Sequence, residues 1–135
     1  MEGLIRAAPD KERARSILRM VDTTLEMIGT LEVDRFSSHI TKEYYEVIRE
    51  LLSVIALLDG YRTYGEGAHR NLLSYVASNS KTITGYEMSL IDDLRAIRNR
   101  IAYDGFFVDK DYLARKAPDI RKMIQKLRNM VDGRM

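Results

Sequence analysis

Cysteine is absent from this chain, and it has only two prolines. Without cysteine there is no disulfide, no thiolate for a metal and no Cys nucleophile, which suits a reducing compartment. Long apolar runs are missing too: the longest, residues 51–58, is interrupted by Ser53 and falls well short of the ~20 residues that span a bilayer. The opening residues, MEGLIRAAPDKERAR, carry no signal-peptide core. The expectation is a soluble, cytoplasmic protein with no membrane contact. Nor is there an excess of one charge, since 22 basic and 20 acidic residues leave a formal +2. That balance excludes holding nucleic acid by bulk electrostatics, so any polyanion contact has to be local. The local candidate is the group Arg95, Arg98 and Arg100, whose field Asp92 and Asp93 partly cancel.

What is present is helical. No stretch alternates Val, Ile and Thr, and 31% of residues are charged, both of which favour helices over sheet. The 135 residues fit one domain, large enough to bury roughly two-thirds of its unfolded surface without a metal or disulfide staple. A first helix is expected from Pro9 and Asp10, with Ala14, Ile17, Leu18, Val21, Leu25 and Ile28 recurring at three and four, ending near Gly29. A polar connection, LEVDRFSSHITKE, then leads to a second helix over residues 42–59, capped by Thr41, with Phe36 pinning the connection to the core. Its apolar residues cover about half its circumference, which predicts a central helix packed against several neighbours or a subunit interface. Three glycines mark the turn before a short third helix over residues 66–78. A fourth, capped by Thr82 or Thr84, runs to Tyr103 and stops before Gly105. Phe106, Phe107 and Val108 are expected to fold back on the bundle. A last helical segment contains Pro118, which either starts its main helix or kinks it. The reading is an all-α, up-and-down bundle of four to five helices.

Two polar residues sit where apolar ones belong. In the fourth helix Leu90, Leu94, Ile97 and Ile101 form a stripe widened by Ile91 and Ala102, and Arg98 projects into the widened sector. A guanidinium on such a face needs an acid, a set of carbonyls, a wet cleft or an anionic ligand. Asp59 falls inside the apolar arc of the second helix. With strict up-and-down order those two helices run the same way, which brings Asp59, Glu66, His69, Arg98, Asn99 and Tyr103 to one end. Arg98 with Asp59 then reads either as a structural ion pair or as the centre of a site. His69 has an ordinary pKa of ~6.5, which permits proton transfer. His39 has no evident partner, and apart from Glu66, three residues before His69, neither histidine has a carboxylate at metal-ligand spacing, so no metal or cofactor is expected.

The run Arg98-Asn99-Arg100-Ile101-Ala102-Tyr103, preceded by LIDDLRAI, resembles the signature of the HEPN domain. The segment LLDGYRTYGEGAHRNLLSYV, residues 57–76, is similar to the turn between the second and third helices of small prokaryotic HEPN proteins. The resemblance implies a homodimer whose arginine motifs face each other across a cleft. It also implies metal-independent RNA cleavage in active members, and often a minimal nucleotidyltransferase as the antitoxin partner. Carried over by position, Arg98 would stabilise a phosphate in the transition state and Asn99 would be the motif's polar residue. Tyr103 stands where active members have His, and tyrosine, with a pKa near ~10, is a poor general base at neutral pH.

Three functions follow. One is a dimeric RNA-, nucleotide- or partner-binding module of a toxin-antitoxin type that has lost its catalytic His, with Asn99, Asp59, Glu66 and Arg95 as binding residues. The second is a divergent ribonuclease using Arg98 with His69 or Tyr103. The third is a structural helical oligomerisation domain.

Overall fold

The structure is a computed structural model that describes residues 3–64, 67–80 and 82–135. It contains five helices and a two-stranded antiparallel sheet: β1 (Leu4–Arg6), α1 (Lys11–Thr30), α2 (Val33–Leu58), β2 (Tyr61–Thr63), α3 (Ala68–Ser78), α4 (Gly85–Asp104) and α5 (Lys110–Asp132). Asp10 caps α1 by accepting from the Arg13 amide at 2.9 Å, and Ala14, Leu18, Val21 and Ile28 supply its buried stripe. Among the described residues no helix is long and apolar enough to cross a membrane.

The second helix starts at Val33, nine residues before the expected Lys42, and Thr41 lies inside it instead of capping it. The polar segment is helical because its hydroxyls are buried and satisfied. Thr41 Oγ1 donates to the Ser37 carbonyl at 2.7 Å, while Ser37 and Ser38 bond to the backbone of the segment after α4. The helix bends at Phe36, whose φ of −109° and ψ of 22° are not helical. As its wide apolar face requires, α2 packs against the other four helices, and Ile48, Leu51 and Ile55 are among the most deeply buried side chains.

The sheet was not legible in the sequence, and it redirects the chain. Leu4, Ile5 and Arg6 pair with Thr63, Arg62 and Tyr61, so the residues after α2 return in extended form along that helix. The third helix therefore begins beside the middle of α2, where the His69 and Tyr45 rings lie 6.0 Å apart, and finishes beside its end, where Tyr75 reaches Asp59. These contacts make α3 parallel to α2. The fourth helix is antiparallel to α2: Arg98 meets Glu46, and farther along the chain Val108 meets Ser37 and Ser38. Strict up-and-down alternation is thus broken between α2 and α3. The expected common direction of the second and fourth helices is corrected with it.

Thr84 and Glu87 form a reciprocal capping box at the start of α4. Gly105 ends that helix with φ 63°, a left-handed conformation natural to glycine. Beyond it Val108 is buried, held by its amide donating to Ser38 Oγ at 2.7 Å and its carbonyl accepting from Ser37 Oγ at 2.6 Å. Phe107 faces outward, 81% exposed, so only part of the expected tail folds back. The last helix runs unbroken through Pro118 from its Asp109 cap. Pro118 removes the bond that the Ala114 carbonyl would accept, and both residues lie on the exposed side, so the carbonyl is open to solvent rather than orphaned in the core.

Candidate functional site

Five of the seven residues singled out in the sequence line one pocket of about 300 Å³ between the start of α3 and the second half of α4. Gly67, Ala68, His69 and Arg70 form one wall, and Arg95, Arg98, Asn99 and Tyr103 form the other. The α4 residues are brought to one wall by helical spacing, with Arg95, Arg98 or Asn99, and Tyr103 at steps of three and four. On the facing wall Gly67, with φ 74°, turns the chain into α3 and supplies no side-chain acceptor for the first-turn amides. Such a helix start presents N–H groups and a partial positive charge.

Arg98 is positioned by an acid that the sequence reading did not find. Its Nε donates to Glu46 Oε1 at 3.0 Å, and its Nη1 reaches Asn99 Oδ1 at 3.4 Å. The other Glu46 oxygen accepts from Arg49 Nε at 2.9 Å, so one carboxylate is shared by two guanidinium groups. Burial alone would raise the Glu46 carboxyl, but Arg49 and Arg98 outweigh it and hold the group below the usual carboxylate range. Arg95 pairs with Asp92 at 3.1 Å on the exposed side of α4. Among the described residues the pocket lining includes three arginines and no carboxylate.

Burial and the neighbouring Arg49, Arg98 and Arg95 push the His69 imidazole below its ordinary value against the opposing pull of Glu46. At neutral pH His69 is therefore an uncharged imidazole, able to accept a proton. Tyr45, buried beside it, has its phenol pushed up to about 12, chiefly by desolvation and against the pull of Arg95. It stays protonated under any physiological condition. Tyr103 is 80% exposed at the outer edge of the pocket, and Phe107 lies four residues further on.

Asp59 is not part of this site. It accepts from the Tyr75 hydroxyl at 2.9 Å and from Arg134 Nε at 2.8 Å, which corrects the expected Arg98–Asp59 pair. The displacement follows from β2, which separates the end of α2 from the start of α3. Glu66 lies outside the described residues. His39 sits on α2 with its ring edge to face against Phe36 at 5.9 Å. Among the described residues no three His, Asp or Glu side chains converge as metal ligands.

Comparison with protein-family models, with curated proteins and with solved structures gives no match for this chain. The arrangement can hold an anionic group of phosphate size between guanidinium groups and a helix start, with a neutral imidazole beside it. Glu46 and Arg70 were the residues missed. The signal for Glu46 was its place between Tyr45 and Val47 on the widest apolar face, where a carboxylate also needs a partner.

Proposed function

We propose that this protein is a HEPN-like helical module that binds RNA or a nucleotide at the arginine-lined pocket. In this reading it acts as a homodimer in a toxin-antitoxin type of system. The observation that carries the proposal is the meeting of Arg95, Arg98, Asn99, His69 and Tyr103 in one concave site whose lining, among the described residues, has no carboxylate. Phosphate is the ligand chemistry such a site favours, because a guanidinium held through its Nε by Glu46 can still offer its outer nitrogens to a phosphate oxygen. The exposed aromatics Tyr103 and Phe107 support a second copy covering this end of α4. A minimal nucleotidyltransferase as partner rests on the resemblance of the Arg98 to Tyr103 run to HEPN proteins.

A second reading has its own support. His69 shares the pocket with Arg98 and is held neutral, the form a general base requires, so a divergent metal-independent ribonuclease is the alternative. The two are separated by RNA cleavage in EDTA, comparing the unaltered protein with Arg98→Ala, His69→Gln and Tyr103→His. A binding module leaves RNA intact unless Tyr103→His restores cleavage. A nuclease cuts unaltered and loses at least about 100-fold in rate on removal of either Arg98 or His69, the range expected for a charge-stabilising donor or a proton-transfer group.

A further inference from the structure

A second concavity, of about 580 Å³, lies on another part of the molecule, bounded by the end of α1, the first half of α2 and the first half of α5. Its walls are apolar: Leu25 and Ile28 from α1, Ile40 from α2 and Leu113 from α5. The trench stays open because small residues stand where a bundle would ordinarily place large ones. Ala114 and Ala117 line the α5 side, and a Cβ built on Gly29 would meet nothing within 4 Å. Its volume falls in the range of small-molecule sites.

Two polar groups in this trench point to a ligand. Tyr44 lines it with only 6% of its surface exposed, and its hydroxyl, which makes no hydrogen bond to the described residues, still reaches solvent and is free to donate to a molecule in the trench. Among the described residues Arg121, exposed at the rim, is the only charged side chain in the lining, and it takes part in no ion pair. A guanidinium offers donors only, so the complementary head group is an anionic oxygen acceptor.

We propose that this trench binds a single-chain carboxylate amphiphile, a fatty acid. The acyl chain lies on the apolar walls, and the carboxylate is held by Arg121 with the Tyr44 hydroxyl available as a further donor. A cationic amphiphile of the same chain length is refused, because its head would meet an arginine. This site shares no lining residue with the arginine pocket and does not depend on the function proposed for it.

The test is calorimetric titration of the full-length protein with sodium dodecanoate below its micelle concentration, with dodecyltrimethylammonium chloride as the control. Saturable binding of one dodecanoate per chain is expected, with none for the cation. Arg121→Gln should weaken dodecanoate about tenfold or more, as loss of a charge-assisted contact does. Gly29→Met fills the trench from α1 and should abolish binding while leaving the circular-dichroism spectrum unchanged, and Arg98→Ala should leave the affinity unaltered. Equal uptake of both amphiphiles, or indifference to Arg121→Gln and Gly29→Met, would overturn the proposal. So would a dimer in light scattering that Gly29→Met dissociates, since a second copy would then be the occupant.

Discussion

Arg98 draws its placement from Glu46, and Glu46 has a second arginine in Arg49. Removing Arg98 therefore leaves no unpaired buried acid. Arg98→Ala should lower stability by no more than about 1 kcal/mol, the range for partly exposed pairs. Equilibrium urea unfolding would check this, and a small cost is what allows the same variant to report on the pocket. The opposite substitution is the more damaging: Glu46→Ala leaves two neighbouring guanidinium groups without their shared acceptor, and about 1–3 kcal/mol should be lost. His69 gives a pH signature. Its pKa is lower in the folded protein than in the unfolded chain, so at acidic pH the unfolded chain binds more protons. Its stabilising contribution is full above the ordinary value of ~6.5 and is lost as pH falls through the window from there to the depressed folded value. Melting temperatures measured from pH 7.5 to 5 should fall more steeply for the unaltered protein than for His69→Gln, and parallel curves would remove His69 from the pocket's electrostatics. The site was legible at this scale where helical spacing decides, as in Arg95, Arg98, Asn99 and Tyr103. It was not legible where an acid came from another helix, since no local pattern links Glu46 to Arg98.

At the scale of elements, apolar periodicity located all five helices, and the misses have identifiable causes. Ser37, Ser38 and Thr41 read as a loop because hydroxyl residues usually mark caps and turns. Here their hydroxyls bond to the Val108, Phe106 and Ser37 backbone, so the polar stretch is buried and helical. Pro118 allowed two readings in sequence, and the exposed position of the carbonyl it orphans favours the single continuous helix. The start of α4 is the clearest local signal in the chain. Thr84 Oγ1 accepts from the Glu87 amide at 3.1 Å, Glu87 Oε1 accepts from the Thr84 amide at 2.9 Å, and Lys126 Nζ of α5 donates to the same carboxylate oxygen at 2.7 Å. Thr84→Ala should cost about 1 kcal/mol, or about 4 °C in melting temperature. Glu87→Ala breaks both the box and the bond to α5 and should cost more. Thermal melts of the two variants check the order.

At the scale of the whole molecule, the decisive feature is one that periodicity could not reveal. A three-residue strand pairs with another three residues some sixty positions earlier in the chain, and neither strand is long enough to show alternation. That pairing carries the chain back along α2 and brings His69 to Arg98 instead of leaving it beside Asp59. Up-and-down order brought six residues to one end, a topology that the structure corrects, yet four of them, His69, Arg98, Asn99 and Tyr103, line one pocket. They meet because their own helices do, with α3 and α4 crossing α2 at the level of Tyr45 and Glu46. Deleting residues 1–7 should therefore affect the pocket as well as stability. The Arg62 amide and its neighbours should lose protection in hydrogen exchange, and RNA affinity should fall even though residues 3–7 do not line the pocket.

Fluorescence anisotropy of a short labelled RNA, titrated over a range of salt, tests the central claim most directly when Arg95→Ala and Arg98→Ala are compared with Asp59→Asn. The account predicts salt-sensitive binding by the unaltered protein. Each arginine removed should weaken it about tenfold or more and make the salt slope shallower by roughly 0.7 per lost phosphate contact. Asp59→Asn, in the separate cluster with Tyr75 and Arg134, should bind like the unaltered protein. Binding indifferent to both arginines, or weakened as much by Asp59→Asn, would contradict the account.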